Sequence, residues 1–136
     1  MKMSVWVAVV CPGSRRVLLA RRAAHASNGN KWNFFGGGVD HGENPMATAI
    51  RELSEESGLS ARHTELIPLG EVRAPGKLNV LYGLTVQTEV KPTLNTESSA
   101  WAWVPMLGLD ARKDLHPSTV LLLPRLFEWM SIKVPI

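Results

Sequence analysis

Apolar runs separated by turn-forming residues outline the first half of the chain. Residues 5–10 form a buried strand in this pattern, Pro12-Gly13 marks a turn, and residues 17–22 return as the partner of a β-hairpin. A short β-prone run follows at residues 32–35. The glycine-rich segment after it, residues 36–44, is expected to lack regular structure, because so many glycines and turn formers disfavour a strand or helix.

The second half of the chain predicts further strands. Residues 64–74 and 77–90 look like two strands joined by a turn at Pro75-Gly76, and residues 100–104 alternate in the manner of another strand. A mid-chain helix begins with Asn44 as N-cap and Pro45 in its first turn, and it ends near Ser57 before Gly58.

The last predicted element is a second helix, at residues 117–132, in which Pro124 is expected to produce a kink. Strands surrounding one internal helix and one terminal helix indicate an α+β fold, an α/β/α sandwich with a mixed β-sheet. A chain of 136 residues is expected to form a single domain, residues 1–136.

The mid-chain helix has two chemically different faces. At about 100° per residue, four apolar side chains fall on one side and predict the core-facing stripe. They are Met46, Ala49, Ile50 and Leu53. Three carboxylates, Glu52, Glu55 and Glu56, gather on another side. Like charges at this spacing destabilise a helix, so the face is either a solvated acidic surface or a site that binds a cation.

The glycines before the helix favour the second interpretation. Gly36-Gly37-Gly38 allow the backbone to approach a ligand closely, and exposed carbonyls beside three carboxylates offer only oxygen ligands. Hard divalent cations, Mg²⁺ above all, prefer such ligands and share them with substrate phosphates. We therefore expect a Mg²⁺ site, at which Mn²⁺ could substitute.

Charge and composition narrow the function further. The net charge is +3 and the pI about 9.4, but the basic residues are scattered, which argues against a dedicated nucleic-acid surface and suits a small anionic substrate. Arg21 and Arg22 end an apolar strand and are candidates for binding that substrate. With one cysteine, Cys11, and no run long enough to span a membrane, a cytoplasmic protein without a membrane partner is expected.

The glycine-rich segment and the helix together resemble the Nudix box, a signature of the form Gly-x5-Glu-x7-Arg-Glu-U-x-Glu-Glu-x-Gly-U with U a bulky aliphatic residue. Every fixed position is filled, from Gly37 and Glu43 to the run 51–59, Arg-Glu-Leu-Ser-Glu-Glu-Ser-Gly-Leu. The preceding residues resemble the Trp-x-Phe-Pro-Gly-Gly approach of the nucleotide-sanitising branch, but Phe35 stands where that branch usually has proline.

The resemblance implies a role for each matching residue. Glu52, Glu55 and Glu56 would be metal ligands, with the Gly36 carbonyl a further ligand, and Glu52, Glu55 or a loop carboxylate would activate the attacking water. We select Glu97 as this loop carboxylate. The alternative interpretation is that Glu97 is an exposed loop acid without a function. Glu43 and Arg51 would orient the loop against the helix. Phe34 is a candidate for stacking on a base, although strand aromatics are usually core.

Three functions remain open at this point. The first is Mg²⁺-dependent hydrolysis of a nucleoside triphosphate, including an oxidised or non-standard one, to monophosphate and pyrophosphate. The second is hydrolysis of ADP-ribose or another nucleoside diphosphate linked to a second group, to which Pro75 points because a proline near that distance from the box is associated with ADP-ribose hydrolases. The third is a non-catalytic nucleotide-binding sensor, against which the complete set of glutamates argues.

Overall fold

The computed structural model describes residues 1–131 of the chain. It consists of seven strands, two α-helices and one short 3₁₀ segment, Leu109–Ala111. In chain order the strands and helices are β1 (Lys2–Cys11), β2 (Arg16–Arg22), β3 (Trp32–Asn33), β4 (Phe35–Gly38), α1 (Pro45–Ser57), β5 (Ile67–Ala74), β6 (Lys77–Thr85), β7 (Ser98–Pro105) and α2 (Pro117–Met130).

The sheet is mixed, as the sequence predicted, and β1 lies at its centre. One edge of β1 pairs in parallel with β6 along nearly its whole length. The other edge is shared by two antiparallel partners, with β4 against Ser4–Val7 and β2 against Val9–Cys11. Strand β5 extends the sheet beyond β6, and β7 extends it beyond β2.

Alternation along β1 distributes the core between the two faces of the sheet. Val5, Val7 and Val9 belong to the cluster that packs under α1. The intervening side chains, beginning with Trp6, belong to the cluster that packs under α2. Both faces of the central strand are therefore covered by a helix, which confirms the predicted α/β/α arrangement.

Helix α1 begins and ends where the sequence predicted. The Asn44 side chain accepts a 3.2 Å hydrogen bond from the backbone N–H of Ala47, Pro45 occupies the first turn, and Gly58 closes the helix in the left-handed region at φ 74°. Ala49 and Leu53 are fully buried, while Met46 and Ile50 pack at the margin of the same cluster.

The expectation of irregular structure across residues 36–44 was wrong at its beginning. Gly36, Gly37 and Gly38 continue from Phe35 as strand β4, paired with β1. At Gly36 an added Cβ would collide with the carbonyl oxygen of Val5, so absence of a side chain lets β4 lie against β1. Glycine here permits strand pairing rather than preventing it.

Helix α2 covers the other face and contains Pro124 within its span. The predicted end of this helix, Ile132, lies outside the described residues, and the kink at Pro124 stays a prediction. Among residues 1–131, no helix has the length and apolar character needed to cross a membrane.

Candidate active site

Three carboxylates meet beside strand β4, which carries Gly36, Gly37 and Gly38 and which we call the glycine strand. Glu52 and Glu56 lie one turn apart on α1, and Glu97 comes from the loop that precedes β7. Each offers an oxygen, and these oxygens all lie within 4.8 Å of one another. Residues distant in the sequence thus form one acidic cluster, which we call the carboxylate cluster.

Glu56 is held against the free edge of β4. Its Oε1 accepts a 2.7 Å hydrogen bond from the backbone N–H of Gly36. Burial raises the pKa of Glu56 to about 9, the neighbouring carboxyls of Glu97 and Glu52 add to the increase, and the Gly36 N–H opposes it. Near neutral pH the metal-free cluster therefore holds a proton on Glu56.

Glu52 lies against Gly37 at the same edge. A Cβ added to Gly37 would be 2.9 Å from the carboxyl carbon of Glu52, so the carboxylate occupies the space that a side chain would need. Burial also raises the pKa of Glu52, although the neighbouring Arg51 opposes the increase. A Cβ on Gly38, by contrast, would meet no atom of the described residues within 4 Å.

Arg51 joins the loop of residues 39–44, which we call the box loop, to helix α1. Its guanidinium donates to both carboxylate oxygens of Glu43, at 3.2 and 3.3 Å, and Glu43 also accepts from the backbone N–H of Asp40. The hydrogen bonds from Arg51 lower the pKa of Glu43 to about 2. This geometry suits the orienting role that the Nudix resemblance implied for the pair.

Glu55 lies on the solvent side of the same arginine. Its carboxylate accepts hydrogen bonds from Nη1 of Arg51 at 3.3 Å, and its side chain is 53% exposed. The structure does not bring Glu55 into the carboxylate cluster, so its expected metal-binding and catalytic roles stay predictions. Glu97 occupies the third position in the cluster instead.

A cavity of about 520 Å³ opens beside the carboxylate cluster. Gly36, Gly37 and Gly38 line it together with the cluster, and so does Arg22, whose binding of the substrate stays a prediction. The sequence analysis did not select the other polar or aromatic lining residues. Among them are Trp6, Lys77, His116 and the loop residues His25, Ser27 and Asn28.

Two residues that the sequence predicted to contact the substrate, Arg21 and Phe34, are not among those that line this cavity. The Arg21 guanidinium donates a 3.0 Å hydrogen bond to Oγ of Ser99 on β7, and Arg21 is not among the residues that line the cavity. Phe34 is 1% exposed and packs in the core under α2, so its ring offers no surface for stacking on a base. The Phe34 ring lies in the core cluster under α2 and the Phe35 ring in the cluster under α1, so both rings are interior.

The resemblance to known proteins agrees with this geometry. The family model described as NUDIX domain matches residues 1–126. The chain belongs to the NUDIX domain family. As a Nudix hydrolase it acts on phosphoanhydride bonds, which confirms the class of enzyme that the sequence predicted.

Two curated relatives show how far the similarity extends. The 8-oxo-dGTP diphosphatase of Escherichia coli K12 is 29% identical over 117 residues, which cover 86% of this chain and 90% of the relative. An RNA pyrophosphohydrolase of Psychrobacter cryohalolentis is 48% identical over 52 residues, but these cover only 38% of this chain and 28% of the relative.

The solved structures establish the fold. The MutT protein from Methanosarcina mazei Go1 has a TM-score of 0.75 at 20% identity and covers 97% of this chain and 96% of its own. A Nudix hydrolase from M. smegmatis has a TM-score of 0.73 at 24% identity, covering 99% and 88%. The predicted α+β class is thereby confirmed.

The carboxylate cluster fits the divalent metal that Nudix enzymes generally use. Its donors are carboxylate oxygens, which hard divalent cations prefer, and they lie close enough to be shared by one ion. A cation there would also replace the proton that the crowded, buried Glu56 holds.

Proposed function

We propose that this Nudix hydrolase is a Mg²⁺-dependent pyrophosphohydrolase that cleaves a nucleoside triphosphate, including an oxidised or non-standard one, to monophosphate and pyrophosphate. The observation that carries the proposal is the carboxylate cluster of Glu52, Glu56 and Glu97 in the lining of a cavity that the cationic Arg22 and Lys77 also line. Oxygen ligands for a metal ion and positive charge in one cavity suit a polyphosphate joined to a second moiety.

The glutamates of the cluster would hold the metal, and the Gly36 carbonyl remains a candidate ligand. When bound, Mg²⁺ neutralises charge on the phosphate oxygens and helps to acidify water. Gly36 and Gly37 line the cavity beside these ligands, and their lack of side chains makes room for strand β1 and for the Glu52 carboxylate. Arg51 and Glu43 fix the loop between β4 and α1 relative to the helix.

Glu97 is the proposed general base. It is the most exposed member of the carboxylate cluster and therefore the one that solvent water reaches most readily. Its backbone N–H donates a 3.0 Å hydrogen bond to the Asn95 side chain, and its carbonyl accepts from Ala23, which fixes the loop. From this position the Glu97 carboxylate can accept a proton from water as the water attacks phosphorus.

The relatives support a nucleoside triphosphate as substrate. The Escherichia coli protein, which this chain matches over most of both lengths, is an 8-oxo-dGTP diphosphatase, and a shorter match, 32% identical over 78 residues, is the CTP pyrophosphohydrolase of the same organism. The cytoplasm is the corresponding location for an enzyme that acts on free nucleotides.

A substrate screen tests this proposal. The purified protein is incubated with Mg²⁺ or Mn²⁺ and with nucleoside triphosphates, nucleotide sugars, ADP-ribose and dinucleoside polyphosphates, and the nucleotide products are separated by chromatography. The proposal predicts the highest kcat/KM for a nucleoside triphosphate. A preference for ADP-ribose or a nucleotide sugar, or tight nucleotide binding without turnover, would contradict it.

A further inference from the structure

The part of the cavity around Trp6, which we call the Trp6 end, lies outside the carboxylate cluster. The His116 ring centroid lies 5.5 Å from that of the Trp6 indole, and Nζ of Lys77 lies over the same ring at 5.8 Å from its centroid. Trp6 is only 4% exposed, so it is not a free stacking platform. The groups that a bound ligand meets here are therefore the polar atoms of His116 and Lys77.

The tautomer of His116 follows from its hydrogen bond. His116 is the N-cap of α2, and its Nδ1 accepts a 3.0 Å hydrogen bond from the backbone N–H of Ser118. A neutral imidazole that accepts at Nδ1 carries its hydrogen on Nε2. Burial, with the charges of Arg22 and Lys77, lowers the pKa of His116 to about 4, so the ring is neutral at pH 7 and presents an Nε2–H donor.

The neighbouring charged groups are also donors. Lys77, at the start of β6, is partly buried, and Arg22, at the end of β2, lines the same cavity. Neither an ammonium nor a guanidinium can accept a hydrogen bond. Within residues 1–131, the acids that line the cavity all belong to the carboxylate cluster, so the ionisable groups at the Trp6 end contribute donors only.

We call the donors of His116 and Lys77 the donor wall, and Gly36 connects this wall to the carboxylate cluster. Its N–H contacts Glu56, and it pairs directly with Trp6, the centre of the wall. The contacts from Glu56 to His116 therefore cross one strand spacing and one ring contact, which limits their separation to on the order of 10 Å. A nucleotide whose phosphates lie at the cluster can therefore reach the wall with its base.

We infer that His116 and Lys77 form a base-recognition wall that selects nucleotides with a carbonyl group, as in guanine, hypoxanthine or uracil, over those with an amino group, as in adenine or cytosine. This inference rests on the proposed function and names its substrate class. A base carbonyl can accept a hydrogen bond from either donor. An exocyclic amino group at the same position would leave the buried His116 donor unpaired, which disfavours its binding.

The pair ITP and ATP tests the inference, because hypoxanthine has a carbonyl where adenine has an amino group. The wild-type enzyme with Mg²⁺ is expected to show a kcat/KM for ITP at least about 10-fold above that for ATP, the factor expected for leaving one buried donor unpaired. Equal values, or a preference for ATP, would overturn the inference while leaving the proposed function intact. Failure to hydrolyse any nucleotide would overturn the proposed function itself.

Two variants locate the selection in the wall. His116→Asn keeps a side-chain acceptor for the Ser118 N–H, since Asn is a good N-cap, but its shorter side chain withdraws the donor from the position of Nε2. Lys77→Met keeps an unbranched apolar stem over Trp6 and removes the charge. Each is expected to bring the ITP to ATP ratio of kcat/KM towards one, mainly by lowering the value for ITP.

The exposed Lys91 provides the control, since Lys91→Met removes the same charge away from the cavity and should leave the ratio at its wild-type value. Thermal unfolding of every variant checks that the fold is retained. An unchanged ratio in folded His116→Asn and Lys77→Met would overturn the assignment of these residues. An equal loss of kcat/KM for ITP and ATP in Lys77→Met would overturn the assignment of Lys77, because it would indicate that Lys77 binds phosphate and not the base.

Discussion

The backbone N–H of Gly36 donates a 2.7 Å hydrogen bond to the Glu56 carboxyl, and this contact joins strand β4 to the face of α1 that carries the carboxylate cluster. Among the described strands β4 pairs with β1 alone, so the Gly36 N–H on its other edge is available to the Glu56 side chain. The glycine strand therefore acts as a structural part of the site, because it fixes the most enclosed carboxyl of the cluster.

Replacing Glu56 should separate folding from catalysis. Glu56→Gln keeps a group that can accept from the Gly36 N–H but removes the charge that a cation needs, so turnover should fall by about 100-fold or more. The fold should be retained. Turnover and thermal unfolding are measured on the same preparation.

Glu71→Gln is the matched control for that variant. Glu71 is exposed on β5, at the far edge of the sheet from β4, and its loss should leave turnover within about twofold of wild type, as surface changes usually do. Wild-type turnover in Glu56→Gln would remove Glu56 from the site.

The glycine strand should tolerate an added methyl group at one position and not at the next. Gly37→Ala would place Cβ 2.9 Å from the carboxyl carbon of Glu52 and displace this side chain, so the affinity for Mg²⁺ should fall about 10- to 100-fold, as when the support of a metal ligand is lost. Gly38→Ala meets no neighbouring atom of the described chain and does not require a positive φ, so it should leave the Glu52 carboxylate in place and keep the affinity for Mg²⁺ near wild type. Equal Mg²⁺ affinities for the two variants would contradict this account of Gly37.

The metal-free protein should lose stability as pH rises above neutrality. The pKa of Glu56 is about 9 in the folded chain and near the ordinary 4.5 in the unfolded chain, so between these values the folded state binds a proton that the unfolded state has released. His116, with a pKa of about 4 against an ordinary 6.5, acts in the opposite direction but only below pH 6.5. Denaturant unfolding with EDTA should therefore show a decreasing free energy of unfolding from pH 7 to 9.

Glu56→Gln should reduce that decrease, since it removes the group whose pKa changes most. Adding Mg²⁺ to the wild-type protein should raise the melting temperature more at pH 8.5 than at pH 6.5, because the ion competes with the bound proton. A free energy of unfolding that rises with pH from 7 to 9 in EDTA would contradict the buried, proton-bound state of Glu56.

Glu97→Gln tests the general base. Loss of a base that must be deprotonated should lower kcat at saturating Mg²⁺ by about 100-fold or more and flatten the rise of kcat with pH. Stability should change little, because the side chain is exposed in a loop. A pH–rate profile that superimposes on the wild-type profile would remove Glu97 from the mechanism.

Much of the fold could be predicted from local sequence. The caps of α1 are local, since Asn44, Pro45 and Gly58 act on their own backbone neighbours. The alternation of β1 and the turn at Pro75-Gly76 are equally local signals. Strand β4 was missed because its stability depends on the close approach of β1 to Gly36, a long-range contact that glycine content alone does not reveal.

The carboxylate cluster could be predicted only in part. The helical period placed Glu52 and Glu56 on one face, but it placed Glu55 there as well, and the ion pair with Arg51 in the folded chain holds Glu55 on the solvent side. The donor wall could not be predicted, because Trp6, Lys77 and His116 come from three elements that only the sheet topology brings together. The one local signal was the position of His116 before Pro117 at a helix start.

The most direct test of the account is the identity of the first products formed from a nucleoside triphosphate with Mg²⁺. GTP is incubated with the wild-type enzyme, and the nucleotide and phosphate products are quantified at early times, with Glu56→Gln as the inactive control. The account predicts GMP and pyrophosphate in equal amounts, with at most about one hundredth of the wild-type amount from Glu56→Gln. Formation of GDP and inorganic phosphate as the first products, or equal product formation by Glu56→Gln, would contradict it.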